Sequence, residues 1–135
     1  MNIEKRTQQA LIDAALAARE QAYAPYSRYQ VGAALLCSDG TIFTGCNIEN
    51  AAYTPTVCAE RVAIFKAVSE DYRDFVAIAV ATADGGSPCG VCRQVMSEFM
   101  LDAQVLIVDD EGTIVVDTTG RDLLPFAFGP QNLDR

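Results

Sequence analysis

A chain of 135 residues, half of them hydrophobic, is one domain's length, and a single domain with its own core is expected over residues 1–135. Its 10 Lys and Arg against 18 Asp and Glu give a net charge of −8, which argues against nucleic acid or an anionic membrane as the main partner. Histidine is absent, which excludes every nucleophile system, general base or metal site built on imidazole.

In chain order, residues 3–23 are rich in alanine and place Leu11, Ala15, Ala18 and Ala22 on one face. This spacing predicts an amphipathic helix, ended by Ala24-Pro25-Tyr26-Ser27. Residues 31–37 read as an apolar strand, Ser38-Asp39-Gly40 as a turn and residues 41–46 as the returning strand. A second helix is expected over residues 57–69 with Thr56 as its N-cap. Residues 75–82 form a buried strand, broken at Asp84-Gly85-Gly86, after which Ser87 as N-cap and Pro88 at the first position open a third helix. Strands at 105–108 and 113–116 flank an Asp-Asp-Glu-Gly turn. The order α-β-β-α-β-α-β-β favours a central sheet with helices on both faces. No apolar run approaches the roughly 18 residues of a membrane span, and the N-terminus lacks the apolar stretch of a signal peptide. A cytoplasmic setting is therefore expected, in which the five cysteines stay reduced.

Cys58 and the pair Cys89 and Cys92 each sit where a helix begins. Cys89 and Cys92 are three apart and share one helical face, and helix N-termini favour anionic sulfur. If the two helices lie side by side, the three sulfurs converge on one ion. Three protein ligands and an open fourth position are the arrangement of catalytic zinc, whereas a structural site takes four. A lone CxxC also suits a redox pair, and Cys37 and Cys46 read as core residues. Glu60 separates these readings, because a carboxylate beside a metal site can take a proton from water and pass it to a leaving group. Three thiolates against a dication leave a site one unit negative. Arg61 and Arg93, each directly following a site residue, are placed to donate hydrogen bonds to the sulfurs.

Cys58-Ala59-Glu60-Arg61 and Pro88-Cys89-Gly90-Val91-Cys92-Arg93-Gln94 together resemble the small, all-cysteine class of the cytidine deaminase family, whose cysteine, glutamate and PCxxC pattern is a known mark of zinc deaminases. The resemblance runs from about Tyr23 to Leu133, and Asn47-Ile48-Glu49-Asn50 is its part most specific to nucleoside enzymes. It implies an α/β fold, a three-layer α/β/α sandwich with a mixed five-stranded sheet, and one Zn2+ per chain held by Cys58, Cys89 and Cys92. It implies hydrolysis of cytidine and deoxycytidine to uridine and deoxyuridine with release of ammonia, a reaction of pyrimidine salvage. Glu60 matches the proton carrier, Asn47 and Glu49 the residues on the ribose hydroxyls, and the Ala59 backbone the group that reads the pyrimidine carbonyl. Tyr29 stands where the family usually has Phe and lines the base pocket. Asn and Glu suit a sugar physically, since a carboxylate accepts and an amide both donates and accepts.

Phe126 and Phe128 lie on a segment whose two prolines forbid a regular helix, and each is expected to be covered. Phe126 suits the chain's own core. Phe128 matches the family position that reaches into a neighbouring subunit's active site, which implies a homotetramer.

Overall fold

Strand β1 (Gly32–Cys37) is buried at every position, as expected of a strand with neighbours on both edges and helices on both faces. In the computed structural model, which describes residues 2–133, the other strands are β2 (Ile42–Cys46), β3 (Phe75–Ala81), β4 (Gln104–Val108) and β5 (Ile114–Thr119). They form one sheet in the order β2-β1-β3-β4-β5, in which β3 and β4 are parallel and every other pair is antiparallel. The expected domain also takes in residues 1, 134 and 135, which lie outside the described residues.

The helices are α1 (Lys5–Arg19), α2 (Ala59–Ser69), α3 (Gly90–Phe99) and the short α4 (Gly120–Leu123). Strand alternation sorts the core into two layers. Leu35, Ile78, Val80, Val105 and Ile107 face Ala63 and Ile64 of α2 and Met96 of α3. Ala34, Leu36, Ala77, Ala79 and Leu106 face Leu11, Ile12 and Ala15 of α1. The three-layer α/β/α architecture with a mixed five-stranded sheet is thus the one observed.

Several boundaries differ from the sequence expectation, each for a local reason. Helix α1 stops at Arg19, because residues 20–22 wind more tightly, donating to carbonyls three residues back, before Tyr23 turns to pair with Ile48. Helices α2 and α3 begin two residues later than Thr56 and Ser87 would set them, with Cys58 and Cys89 as the N-caps. Thr56 instead accepts the Asn50 N–H at 2.9 Å. Strand β5 runs on to Thr119, whose hydroxyl oxygen accepts the Asp122 N–H and opens α4, a helix too short to show as a periodic pattern.

Gly45 sets the distance between β2 and α2. A Cβ there would lie 2.6 Å from the backbone nitrogen of Ala63, so the helix rests directly on the strand and its first residues are held at the sheet edge. Gly45→Ala should destabilise the fold by about 1–3 kcal/mol through overpacking. Urea or thermal unfolding measures this, and an unchanged midpoint would show that α2 can lift off without cost.

Candidate active site

The site lies beyond the C-terminal end of β3, where Thr82 donates its N–H to Val108 O at the end of β4. Helices α2 and α3 both start here, and neither N-cap makes the usual side-chain hydrogen bond to its helix, which leaves both sulfurs available. The sulfurs of Cys58, Cys89 and Cys92 all lie within 4.8 Å of one another, and Cys58 and Cys89 are 3.7 Å apart. Among the described residues this is the one cluster of three or more side chains able to hold a metal. Cys37 and Cys46 stand outside it, the first buried in β1 and the second half-buried in β2.

Arg61 Nη2 donates to Cys58 Sγ at 3.4 Å. The Cys58 thiol is held down to about 5, first by a hydrogen bond from Cys92 and then by the Arg61 guanidinium, which together outweigh burial. Cys92 is pushed up by the same bond and by its burial. Arg93 departs from expectation. Its Nε donates to Pro88 O at 2.9 Å and its Nη1 to Leu123 O at 3.0 Å, because Pro88 lies in the irregular lead-in to α3 and Leu123 ends α4, so that neither carbonyl has a strand or helix partner. Arg93 therefore braces the turn into α3, and only Arg61 reaches a sulfur. Glu60, on the first turn of α2, is 3% exposed, and burial pushes its carboxyl up to about 7, with the Cys58 charge adding to the effect.

A cavity of about 280 Å³ opens from Cys58, Glu60 and Cys89 towards Asn47 and Glu49, with Tyr29 and Val80 on its walls. That is slightly below the roughly 300–1,000 Å³ usual for small-molecule sites, so its occupant is small. Ile48 pairs with Tyr23 on one side and Val57 on the other, isolated bridges that hold residues 47–49 extended beside the start of α2. Asn47 and Glu49 therefore leave the chain on the same side. Asn47 is 8% exposed; its Oδ1 accepts Val31 N–H at 2.9 Å and its Nδ2 donates to Tyr29 O at 2.8 Å. Glu49 accepts from Tyr26 N–H, Ser27 N–H and the Ser27 hydroxyl, and the hydroxyl bond first of all holds its carboxyl below the usual range.

Ala59, the first residue of α2, is fully buried behind this cavity. Phe128 does not line the cavity of its own chain. Phe126, expected in the core, is instead fully exposed, its backbone turned outward at φ 59°. The sequence reading missed Ser27, Thr82 and Asp84: the bonds of Ser27 to Glu49 and of Asp84 to Tyr29 span 22 and 55 positions and leave no local signal, whereas Thr82 bonds within its own turn, to Gly85.

Residues 5–108 match the family model described as the cytidine and deoxycytidylate deaminase zinc-binding region. The chain belongs to that family. It is 50% identical to a cytidine deaminase of Sporosarcina psychrophila over 98% of this chain and 96% of the relative. It is 52% identical to a cytidine deaminase of Halalkalibacterium halodurans, covering 93% and 97% of the two chains. A crystal structure of cytidine deaminase from Burkholderia pseudomallei superposes with a TM-score of 0.85 at 50% identity, over 89% of this chain and 98% of that one. The family's ion is zinc, and the donors here fit it: three soft sulfur ligands at two helix N-termini, with a guanidinium to offset their charge.

Arg61→Ala should weaken metal affinity about 10- to 100-fold, as loss of a group bonded to a ligand commonly does. Arg93→Ala should lower unfolding stability and leave metal affinity closer to wild type. Chelator competition separates the two, and equal losses of affinity would remove the distinction drawn from their partners.

Proposed function

We propose that this chain, as one domain over residues 1–135, hydrolyses the cyclic amidine C–N bond of cytidine and deoxycytidine to give uridine or deoxyuridine and ammonia. The setting proposed is pyrimidine salvage in the cytoplasm. The observation that carries the reading is a buried carboxyl, Glu60, between three converging thiols and a small cavity whose far end carries Asn47 and Glu49. The relatives named above, matched over nearly their whole length, are cytidine deaminases. Among the described residues no helix is long and apolar enough to cross a membrane.

Cys58, Cys89 and Cys92 would hold the zinc, which when bound supplies Lewis acidity that makes hydroxide available near neutral pH. Glu60 takes a proton from the attacking water and delivers it to N3 of the ring, and then carries a proton to the amino nitrogen. One water is consumed, the C4–N bond breaks and ammonia leaves. A carboxyl raised to about 7 is suited to both halves of this transfer at neutral pH. The Ala59 backbone is assigned to the pyrimidine carbonyl, and the Tyr29 ring to the wall of the base pocket. Asn47 keeps one N–H and one acceptor site free, and Glu49 keeps one of about four acceptor sites, enough to hold a ribose hydroxyl.

The assembly proposed is a homotetramer in which Phe128 closes a neighbouring active site. Phe128 is 58% exposed, and Phe126 and Leu133 of the same C-terminal segment are exposed too, apolar side chains that a second copy would cover.

Glu60→Gln keeps the side chain's size and removes the proton carrier. Zinc content should hold while kcat falls at least ~10²-fold. In the wild type, kcat/KM should decline as pH falls through the Glu60 titration, because the base is then protonated. Stability runs the other way: a carboxyl raised by folding favours the fold while protonated, and that contribution is lost as pH rises through about 7. A Gln variant within a few-fold of wild type would refute the assignment. For Phe128→Ala, KM should rise more than Tm falls, since an aromatic contact adds about 0.5–1.5 kcal/mol beyond its buried area. Light scattering that found a fully active monomer would overturn the shared site.

A further inference from the structure

We propose that Tyr29 is a positioning residue for the substrate cavity, acting through Asp84 on the turn between β3 and α3. The turn starts at Thr82, whose hydroxyl oxygen accepts the N–H groups of Gly85 and Gly86, both at 2.8 Å. Asp84 is its hub. One carboxylate oxygen, Oδ1, accepts from the Tyr29 hydroxyl at 2.7 Å, from Gly86 N–H at 3.2 Å and from the Thr82 hydroxyl at 3.4 Å. The far end is fixed by Arg93 on Pro88 O, one residue before Cys89.

Tyr29 comes from the opposite wall. Its own loop is tied to Glu49 through Tyr26 and Ser27, and Ser27 Oγ accepts the Tyr29 N–H at 3.0 Å. The Tyr29–Asp84 bond therefore joins the loop that holds Glu49 to the turn that delivers Cys89, and Tyr29, Gly86, Ser87, Pro88 and Cys89 all line one cavity. With the ring more than a third exposed, the bond is not a by-product of core packing. Sterics point the same way. A Cβ on Gly86 would overlap the Tyr29 hydroxyl oxygen, yet would sit 3.5 Å from the ring carbon bearing it, an ordinary contact. The hydroxyl and a side chain at position 86 thus compete for one volume.

The effect on KM rests on the function proposed above, whereas the effect on the turn does not. Amide hydrogen exchange over residues 82–88 reads the turn without substrate, and steady-state kinetics on cytidine with zinc content read the site. Tyr29→Phe and Asp84→Ala should each speed exchange at Gly85 and Gly86 and raise KM about 3- to 10-fold, the scale of one hydrogen bond, with a smaller change in kcat and zinc retained. Asp84→Asn, whose amide oxygen still accepts, should stay near wild type. Gly86→Ala should raise KM further, and adding Tyr29→Phe to it should restore part of the loss. Unchanged exchange in Tyr29→Phe would overturn the proposal. So would kcat and zinc falling together with KM, or a double variant no better than Gly86→Ala alone. If the wild type fails to deaminate cytidine, the function falls, and exchange alone decides the clamp.

Discussion

Four acidic groups, two of them buried, are crowded into one corner of this molecule, and most of the surrounding structure follows from making that tolerable. Three thiols and the Glu60 carboxyl cannot all ionise there unaided, since like charges a few ångströms apart repel and burial of Cys92 and Glu60 adds to the cost. Two helix N-termini, the Arg61 guanidinium and a dication supply the opposing charge. That solution requires α2 and α3 to start at the same point. Gly45 lets α2 settle onto β2, and Arg93 fixes the turn that aims Cys89. Glu60 is raised chiefly by its own burial, with the Cys58 charge adding to it, the direction a proton carrier at neutral pH needs.

The other end of the cavity follows a different logic, in which the residues assigned to substrate also hold the chain in place. Glu49 gathers Tyr26 and Ser27, and the loop they belong to passes through Arg28 in a left-handed conformation, φ 59°. A non-glycine residue there is uncommon and persists only where its neighbours over-determine it. Asn47 likewise bridges Val31 and Tyr29. Changing either residue alters the loop as well as the contact to a sugar, so loss of activity alone would not separate the two roles.

The parts of this arrangement legible in the sequence are those encoded by short spacing. Short apolar runs bounded by turn residues mark the strands, and cysteines where helices begin mark the metal cluster. Helix starts were placed two residues early because Thr56 and Ser87 have good capping chemistry, whereas the caps used are the cysteines themselves. Arg61 and Arg93 carry nearly the same local signal, since each directly follows a site residue, and the sequence favours only Arg61 for the sulfurs. Unpaired carbonyls at Pro88 and Leu123 decide between them, and Leu123 lies 30 residues from Arg93. Tyr29 and Asp84 are 55 positions apart, and no local pattern announces their bond. Phe126 was assigned to the core because exposing a phenylalanine is unfavourable, an argument that counts only the surface of one chain.

The C-terminal segment shows why that accounting fails. It is ordered by polar contacts: Gln94 Nε2 donates to Phe128 O at 2.9 Å, and Asn132 Oδ1 accepts Gly129 N–H at 2.9 Å. Its aromatic rings nevertheless point away from the body of the chain. A segment whose backbone is already fixed loses little conformational freedom when its rings are covered, so most of the apolar burial is available to favour association. In the proposed assembly one of those rings closes a neighbour's cavity, and a substrate that fills the cavity adds to the surface the ring covers. Binding and association are then linked: whatever the contact adds to substrate affinity, substrate adds equally to the stability of the assembly.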